Sequence, residues 1–459
     1  MTLRPNSRAF ADVASLMHPY TDLITHAAVG PTILDKGKGI YVYDDQGREY
    51  IEGLSGLWCT SLGYGEEELV KAASDQMRKL PFTHLFGGKS HDPAISLAEK
   101  IKEIIPVEAS KVLFMGSGSE ANDTAIKLIW YYNNAIGRPE KKKLISRQKA
   151  YHGVSVATAS LTGLPANHAL FDLPIARILH TSCPHYYRFG RQGETPEDFA
   201  TRLVAEAEAL ILKEGPETVA AFFAEPVMGA GGVIIPPPTY FEKLRVMLDK
   251  YDILLVADEV ICGFGRTGNM FGSETFNIKP DIMTMAKALS SAYLPIAAMT
   301  VPERMFDAIA KASHEIGTFG HGNTYSGHPV CAAVALRTIE LMEERQTLQH
   351  VKDVMGRFQS RLQALSDHPL VGEARGIGLI GAIELSADKQ TKTPFDPKLK
   401  VGPTLAAKAQ EHGLIVRPLG GDVVAICPPL IITEAQIDDL FNRLEPALAE
   451  TLTWVRDKA

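Results

Sequence analysis

Between about residues 110 and 300 the apolar residues fall in short runs, separated by longer stretches in which apolar and polar positions recur at helical spacing. "KVLFM" (111–115), "KLISR" (143–147), "VAAFFAEPV" (219–227), "ILLVADEV" (253–260) and "IMTMAK" (282–287) are predicted strands. A helix is predicted from about Ser119 to Asn134. Strands alternating with helices imply an α/β fold with a mostly parallel central sheet. The C-terminal part reads differently. There "GIGLIGAIEL", "GLIVRPL" and "DVVAICPP" are strand-like, with helices near 402–412 and 434–455, the pattern of a smaller α+β domain. Near the N-terminus "GIYVYDDQGREYIEG" reads as a hairpin turning over "DDQG". The expected division is residues 1–65 as an N-terminal segment joining the small domain, 66–330 as a large domain, and 331–459 as the C-terminal small domain.

Three of the predicted strands run out at an ionisable residue: "AFFAE" at Glu225, "LLVAD" at Asp258 and "MTMAK" at Lys287. In an open α/β sheet, ligands bind at the carboxyl ends of the strands. Lys287 sits in the apolar stretch "IKPDIMTMAKALSSAYLPIAAMTV" (278–301) with no acid within five residues on either side. Either its stem is buried and its head reaches water, or its amine is kept inside because the neutral form does chemistry. Two acids and a lysine at successive strand ends suit pyridoxal 5′-phosphate (PLP), which needs a lysine to attach it and a carboxylate to keep its ring nitrogen protonated. Asp258 and Lys287 lie 287 − 258 = 29 residues apart, one strand–helix–strand step.

A phosphate needs an anion site, and "GSGSEANDTAIKLIW" opens a helix directly after a strand. Ser117 and Glu120 have capping-box spacing, and the free N–H groups of a helix start attract a phosphate. Gly116-x-Gly118-x-x-Ala121 also fits a dinucleotide fingerprint, the signature of a nicotinamide dehydrogenase. The next strand region, "KLISRQKAYHG", offers no acid for a ribose, which argues against that rival.

Composition narrows the field. A net charge of −7 gives no electrostatic case for nucleic acid or an anionic membrane, and the basic run "RPEKKK" (138–143) contains an acid and reads as a solvated turn. Five scattered cysteines without CxxC spacing predict neither a metal site nor a disulfide framework, and fit a reducing compartment. "MTLRPNSRAF" leads into no apolar h-region, and no run of about 18 apolar residues occurs. The expectation is a cytoplasmic chain with no secretory signal and no transmembrane helix.

The motifs "GSGSEAND", "AYHG", "AEPV", "LLVADEVICGFGRTG", "MAKALSSAYLP" and "GHGNTYSGHPV", in this order, resemble the class III (ω-) aminotransferases of PLP fold type I, over nearly the whole chain. The resemblance implies that Lys287 and Asp258 are catalytic, with Lys287 linked to PLP and Asp258 on its ring nitrogen. Tyr151 and Val260 would pack on the two ring faces. Ser117, Gly118 and Ser119 would hold the phosphate, His152 and Glu225 would also bind the cofactor, and Thr324 would reach in from the partner of a homodimer. His321 and His328 are expected to be structural.

For substrates, Arg417 matches an arginine that binds a keto-acid carboxylate. Leu57, Trp58 and Phe86 match the aromatic wall of the amine:pyruvate subgroup, with Phe86 again from the partner. Tyr20 would stand at the entrance, with Tyr151, Ala230 and Ile261 completing the pocket. The implied reaction is a ping-pong exchange between a primary amine or ω-amino acid donor and a keto acid such as pyruvate, in a dimer or a pair of dimers with shared sites. A PLP decarboxylase or aminomutase on the same fold is the nearer alternative.

Overall fold

The computed structural model describes residues 7–458, and these form fifteen strands in three sheets. The first three are β1 (Leu34–Lys38), β2 (Tyr41–Asp44) and β3 (Glu49–Glu52). The middle of the chain supplies β4 (Lys111–Met115), β5 (Lys143–Arg147), β6 (Ile178–Thr181), β7 (Val219–Ala224), β8 (Leu254–Asp258), β9 (Ile282–Met285) and β10 (Ala297–Val301). The last part adds β11 (Val371–Ile377), β12 (Ile380–Leu385), β13 (Leu414–Ile415), β14 (Arg417–Leu419) and β15 (Val423–Ile426).

The expected α/β fold with a mostly parallel central sheet is present. Its seven strands run in the order β4-β10-β9-β8-β7-β5-β6, and β10 alone is antiparallel to its neighbours. Every residue of β7 and β8 is buried. Successive side chains of a strand point to opposite faces, and both faces are covered. Phe223 and Val256 pack with Ala121, Ala125 and Ile129 of the helix Gly118–Ala135. Phe222 and Leu255 pack with the helices Pro196–Glu214 and Tyr240–Lys250. A strand covered on both sides reads as a continuous apolar run, which is why these two were so plain in the sequence.

The other sheets are β1-β2-β3-β13 and β11-β12-β15-β14. The first joins chain ends far apart in sequence: Leu414 of β13 lies opposite Ile51 of β3 in a parallel pair. β2 and β3 are the two arms of the hairpin over "DDQG".

Several boundaries differ from expectation. The strand expected over 219–227 stops at Ala224, that over 253–260 stops at Asp258, and that over 282–287 stops at Met285. The ionisable residues are thus where the ladder ends and the chain must leave the sheet. The helix expected from Ser119 starts at Gly118, because Ser117 is its cap. "GLIVRPL" is two strands in different sheets: β13 pairs with β3, and β14 is an edge strand against β15. Pro418 lacks the N–H needed for pairing on both sides, so an edge is the place for it. β1, β6 and β10 were not expected; β10 is hidden inside the long apolar stretch that also holds Lys287. Among the described residues no helix is long and apolar enough to cross a membrane. Residues 1–6, part of the segment read for a leader, lie outside the described residues.

Candidate active site

A cavity of about 400 Å³ opens at the carboxyl ends of β7, β8 and β9. Glu225, Asp258 and Lys287 all line it, together with Tyr151, His152, Val260 and Ile261 and the helix start at Ser117, Gly118 and Ser119.

Asp258 is held from three directions. Asn122 Nδ2 donates to its Oδ2 at 2.7 Å, His152 Nδ1 lies 2.8 Å from the same oxygen, and the Val260 N–H donates to Oδ1 at 3.1 Å. Asn122 is fixed in turn: its other Nδ2 hydrogen goes to the His152 carbonyl at 2.8 Å, and its Oδ1 accepts from Thr284 Oγ1 at 2.8 Å. The carboxylate can neither rotate nor leave its strand end. Glu225 acts as a clip between loops, its two oxygens accepting from the Tyr151 N–H at 3.0 Å and the Gly229 N–H at 3.1 Å. Burial pushes its carboxyl above the usual range. Arg147, fully buried, donates to the Glu225 carbonyl at 2.7 Å.

Burial lowers the Lys287 amine from its ordinary value, against the opposing pull of Cys59, Asp258 and Glu225. Its backbone has φ +48, a left-handed conformation that is uncommon for a residue with a side chain. Its Nζ stands 5.5 Å from the centre of the Trp58 ring. Strain of this kind costs on the order of 1–3 kcal/mol and gathers at functional sites.

At the helix start, Ser117 Oγ accepts from the Glu120 N–H at 3.2 Å, while Glu120 Oε2 accepts from the Gly116 N–H at 2.7 Å. A Cβ on Gly118 would sit 3.0 Å from both methyls of Val260, so glycine keeps the cradle between helix and strand end open. Ser119 Oγ accepts from the Val154 N–H at 3.2 Å and ties the loop after Tyr151 to this helix.

Trp58 forms a wall. It is 3% exposed, and the Arg417 guanidinium lies 5.0 Å from its ring centre. Arg417 is partly buried, and among the described residues no carboxylate pairs with it. Leu57 is 46% exposed beside it. Tyr20 approaches Tyr151 edge-on at 6.5 Å between ring centres, and Asn167 Nδ2 donates to its hydroxyl at 2.6 Å. Ala230 packs against the cluster of Leu54, Trp58 and Ile261 behind the cavity. Phe86 and Thr324 lie outside this chain's cavity, both exposed, in neighbouring grooves. His321 contacts Thr124 and Lys127, and His328 Nδ1 caps the helix Pro329–Glu344 through the Val330 N–H. Asn122 and Arg147 were missed in the sequence. Asn122 had a signal: it shares a helical face with Ile126 and Ile129, an unusual place for an amide.

The sequence matches the family model "Aminotransferase class-III" over residues 25–448. The chain belongs to the class III aminotransferases. It is 51% identical over 437 residues to gamma aminobutyrate transaminase 1, mitochondrial, of Solanum lycopersicum, covering 95% of this chain and 85% of that protein. The omega transaminase from Pseudomonas jessenii in complex with PMP has a TM-score of 0.96 and 53% identity, covering 98% of this chain and 99% of that one. A thermostable omega transaminase variant, W58M/F86L/R417L, engineered for asymmetric synthesis of enantiopure bulky amines, gives 0.96 and 53% over 98% of this chain and 100% of that one. This aminotransferase therefore transfers an amino group from an amine to a keto acid, with PLP as cofactor. The residues present fit that cofactor: one cavity holds a lysine amine of lowered basicity, a clamped carboxylate and a helix start kept open by Gly118.

The Trp58 wall of this aminotransferase rests on a strained turn. Gly56 and Trp58 have φ +65 and +58, and the buried Glu52 carboxyl accepts the Gly56 N–H. Burial pushes Glu52 up to about 7 from an ordinary 4.5. A carboxyl raised on folding binds its proton more tightly in the folded state. Its stabilising contribution is complete below pH 4.5 and is lost as the pH climbs through about 7. Glu52→Gln keeps an acceptor and removes the titration. The melting temperature of Glu52→Gln relative to wild type is expected to rise across this window, by the equivalent of roughly 3 kcal/mol. A difference that stays flat from acid to neutral pH overturns this account of Glu52.

Proposed function

We propose that this aminotransferase takes a primary amine lacking a carboxylate as donor and pyruvate as acceptor, in a ping-pong cycle. The observation that carries the reading is Arg417: a partly buried guanidinium, 5.0 Å from the Trp58 ring centre, with no carboxylate partner among the described residues. Such a cation matches a keto-acid carboxylate bidentately, while the aromatic face below it suits an apolar amine. The engineered variant for bulky amines supports the reading, since this chain has Trp58, Phe86 and Arg417 at the three numbers changed there.

PLP, when bound, supplies an electron sink that makes loss of a proton from the substrate carbon affordable. Lys287 would anchor the cofactor, and its neutral amine would take up the substrate proton as base and return it as acid. Its lowered basicity favours the neutral form that this role needs. Asp258, oriented by Asn122 and His152, holds the positive ring nitrogen. Tyr151 and Val260 would pack on the ring faces, Ser117, Gly118 and Ser119 would hold the phosphate, and Glu225 fixes the Tyr151 loop. Leu57, Trp58, Tyr20, Ala230 and Ile261 bound the donor's side.

Phe86 and Thr324 act from the partner subunit of a homodimer. Exposed Phe82, Phe86 and Tyr325 on one face support this, since aromatic residues gathered on a surface mark an interface. The parallel pair of β3 and β13 supports residues 1–65 and 331–459 forming one small domain around the large domain 66–330. Five free cysteines support a reducing compartment such as the cytoplasm; the plant relative named above is mitochondrial.

Lys287→Ala is expected to abolish turnover and leave the fold intact, and borohydride reduction of the holoenzyme followed by peptide mapping to label Lys287. A label on another lysine sinks the assignment.

Arg417→Ala separates the donor classes. A hydrogen bond to a charged group contributes about 1.5–3 kcal/mol, so the pyruvate half-reaction should slow roughly ten- to a hundredfold with the amine half-reaction spared. Equal loss in both halves, measured by single-turnover rates, would point instead to a donor with its own carboxylate, such as the γ-aminobutyrate in the relative's name.

Ala230→Thr adds volume behind Trp58. Overpacking costs about 1–3 kcal/mol, so bulky aryl amines should lose roughly ten- to a hundredfold in kcat/KM while small amines are spared. A uniform fall across donor sizes assigns Ala230 to the loop and not to the pocket.

A further inference from the structure

The N-terminal segment holds a cluster that the transamination chemistry does not use. Two short helices, Arg8–Ser15 and Leu23–Val29, flank it, and neither buries a single residue. At eight and seven residues both are well below the length at which a helix holds itself together in water. Something other than a core has to fix them. Asp12 from the first helix, His26 from the second and His18 from the loop between them converge on one point. His18 Nε2 lies 2.9 and 3.0 Å from the two Asp12 carboxylate oxygens, and His26 Nε2 lies 3.2 Å from Oδ1. The ring centres are 4.1 Å apart.

We propose that Asp12, His18 and His26 bind a divalent transition-metal ion of the zinc type. Zinc takes imidazole nitrogen and carboxylate oxygen at roughly 2.0–2.2 Å, and two such bonds at near-tetrahedral to right angles put the ligand atoms roughly 2.8–3.6 Å apart. The observed 2.9–3.2 Å separations between nitrogen and oxygen fall in that range. All three donor atoms lie within 4.8 Å of one another. Two imidazoles and one carboxylate make three of the four ligands of a tetrahedral ion, leaving one position for water. The side chains are 30%, 16% and 12% exposed for His18, Asp12 and His26, so an ion can reach them from solvent.

A second histidine–acid cluster in the molecule gives the contrast. His185, Glu373 and Glu384 are also close together, but Arg375 and Arg188 already occupy their carboxylates. No such cation serves Asp12 among the described residues. An ion there would staple residues 12–26 into a closed loop, and metal bonds can replace a missing core in small units. Tyr20 lies within that loop, edge-on to Tyr151. Occupancy would therefore set how firmly the cavity entrance is held.

The test is calorimetric titration of EDTA-treated, dialysed holoenzyme with Zn²⁺ alone, for wild type, Asp12→Asn and His26→Gln. Loss of an outer-shell partner weakens metal binding about 10–100-fold, and loss of a ligand should cost at least that. Wild type is expected to bind one tight equivalent per chain that each variant loses or binds at least about tenfold more weakly. Zn²⁺ should also protect the segment 8–29 from limited proteolysis in wild type alone. Because the helices bury nothing, all three proteins should melt together in EDTA. Absence of a tight equivalent in wild type, or unchanged affinity in both variants, overturns the proposal.

Discussion

A lysine amine costs several kcal/mol to remove from water without a partner, and Lys287, half-buried at the cavity, bears part of that cost. Burial depresses its basicity, and its backbone is held at φ +48 just after β9. The surrounding structure exists to keep this arrangement from relaxing. β8 and β9 run side by side in register, with Asp258 opposite Thr284. Thr284 in turn donates to Asn122, and Asn122 to Asp258. Asp258 is thereby committed to an amide, an imidazole and a backbone N–H, and no ion pair joins it to the lysine.

The same logic extends outward. Glu225 is spent on two backbone donors from loops on opposite sides of the cavity. Glu52, raised to about 7, is spent on the turn that carries Trp58. Each buried carboxyl has its hydrogen bonds made within the protein, as burial demands. Arg417, like Lys287, has no acid paired with it among the described residues, and its guanidinium has an aromatic face beneath it. Asymmetry between satisfied acids and an unsatisfied cation is what a site for an incoming carboxylate requires.

Much of this was legible in the chain. β7 and β8 are buried on both faces, so their runs carry no polar interruption, and the residue at which each run stops is the residue the cavity uses. Glu225, Asp258 and Lys287 could be named for that reason. β1 and β6 could not, because short strands with exposed or mixed positions leave no period to read. β10 was hidden for the opposite reason: an apolar stretch with no break gives no boundary.

The sequence by itself determined the fold class, the family and the identity of the buried amine and its acid, because these depend on local periodicity and on motifs a few residues long. The tertiary structure decided what depends on distance between segments. Asn122 meets Asp258 across 136 positions, and β13 meets β3 across more than 360. The break between β13 and β14 sends two halves of one apolar run into different sheets and brings Arg417 over Trp58. A side chain's partners are chosen by the packing of whole elements, and no pattern within one segment records which other segment will lie against it.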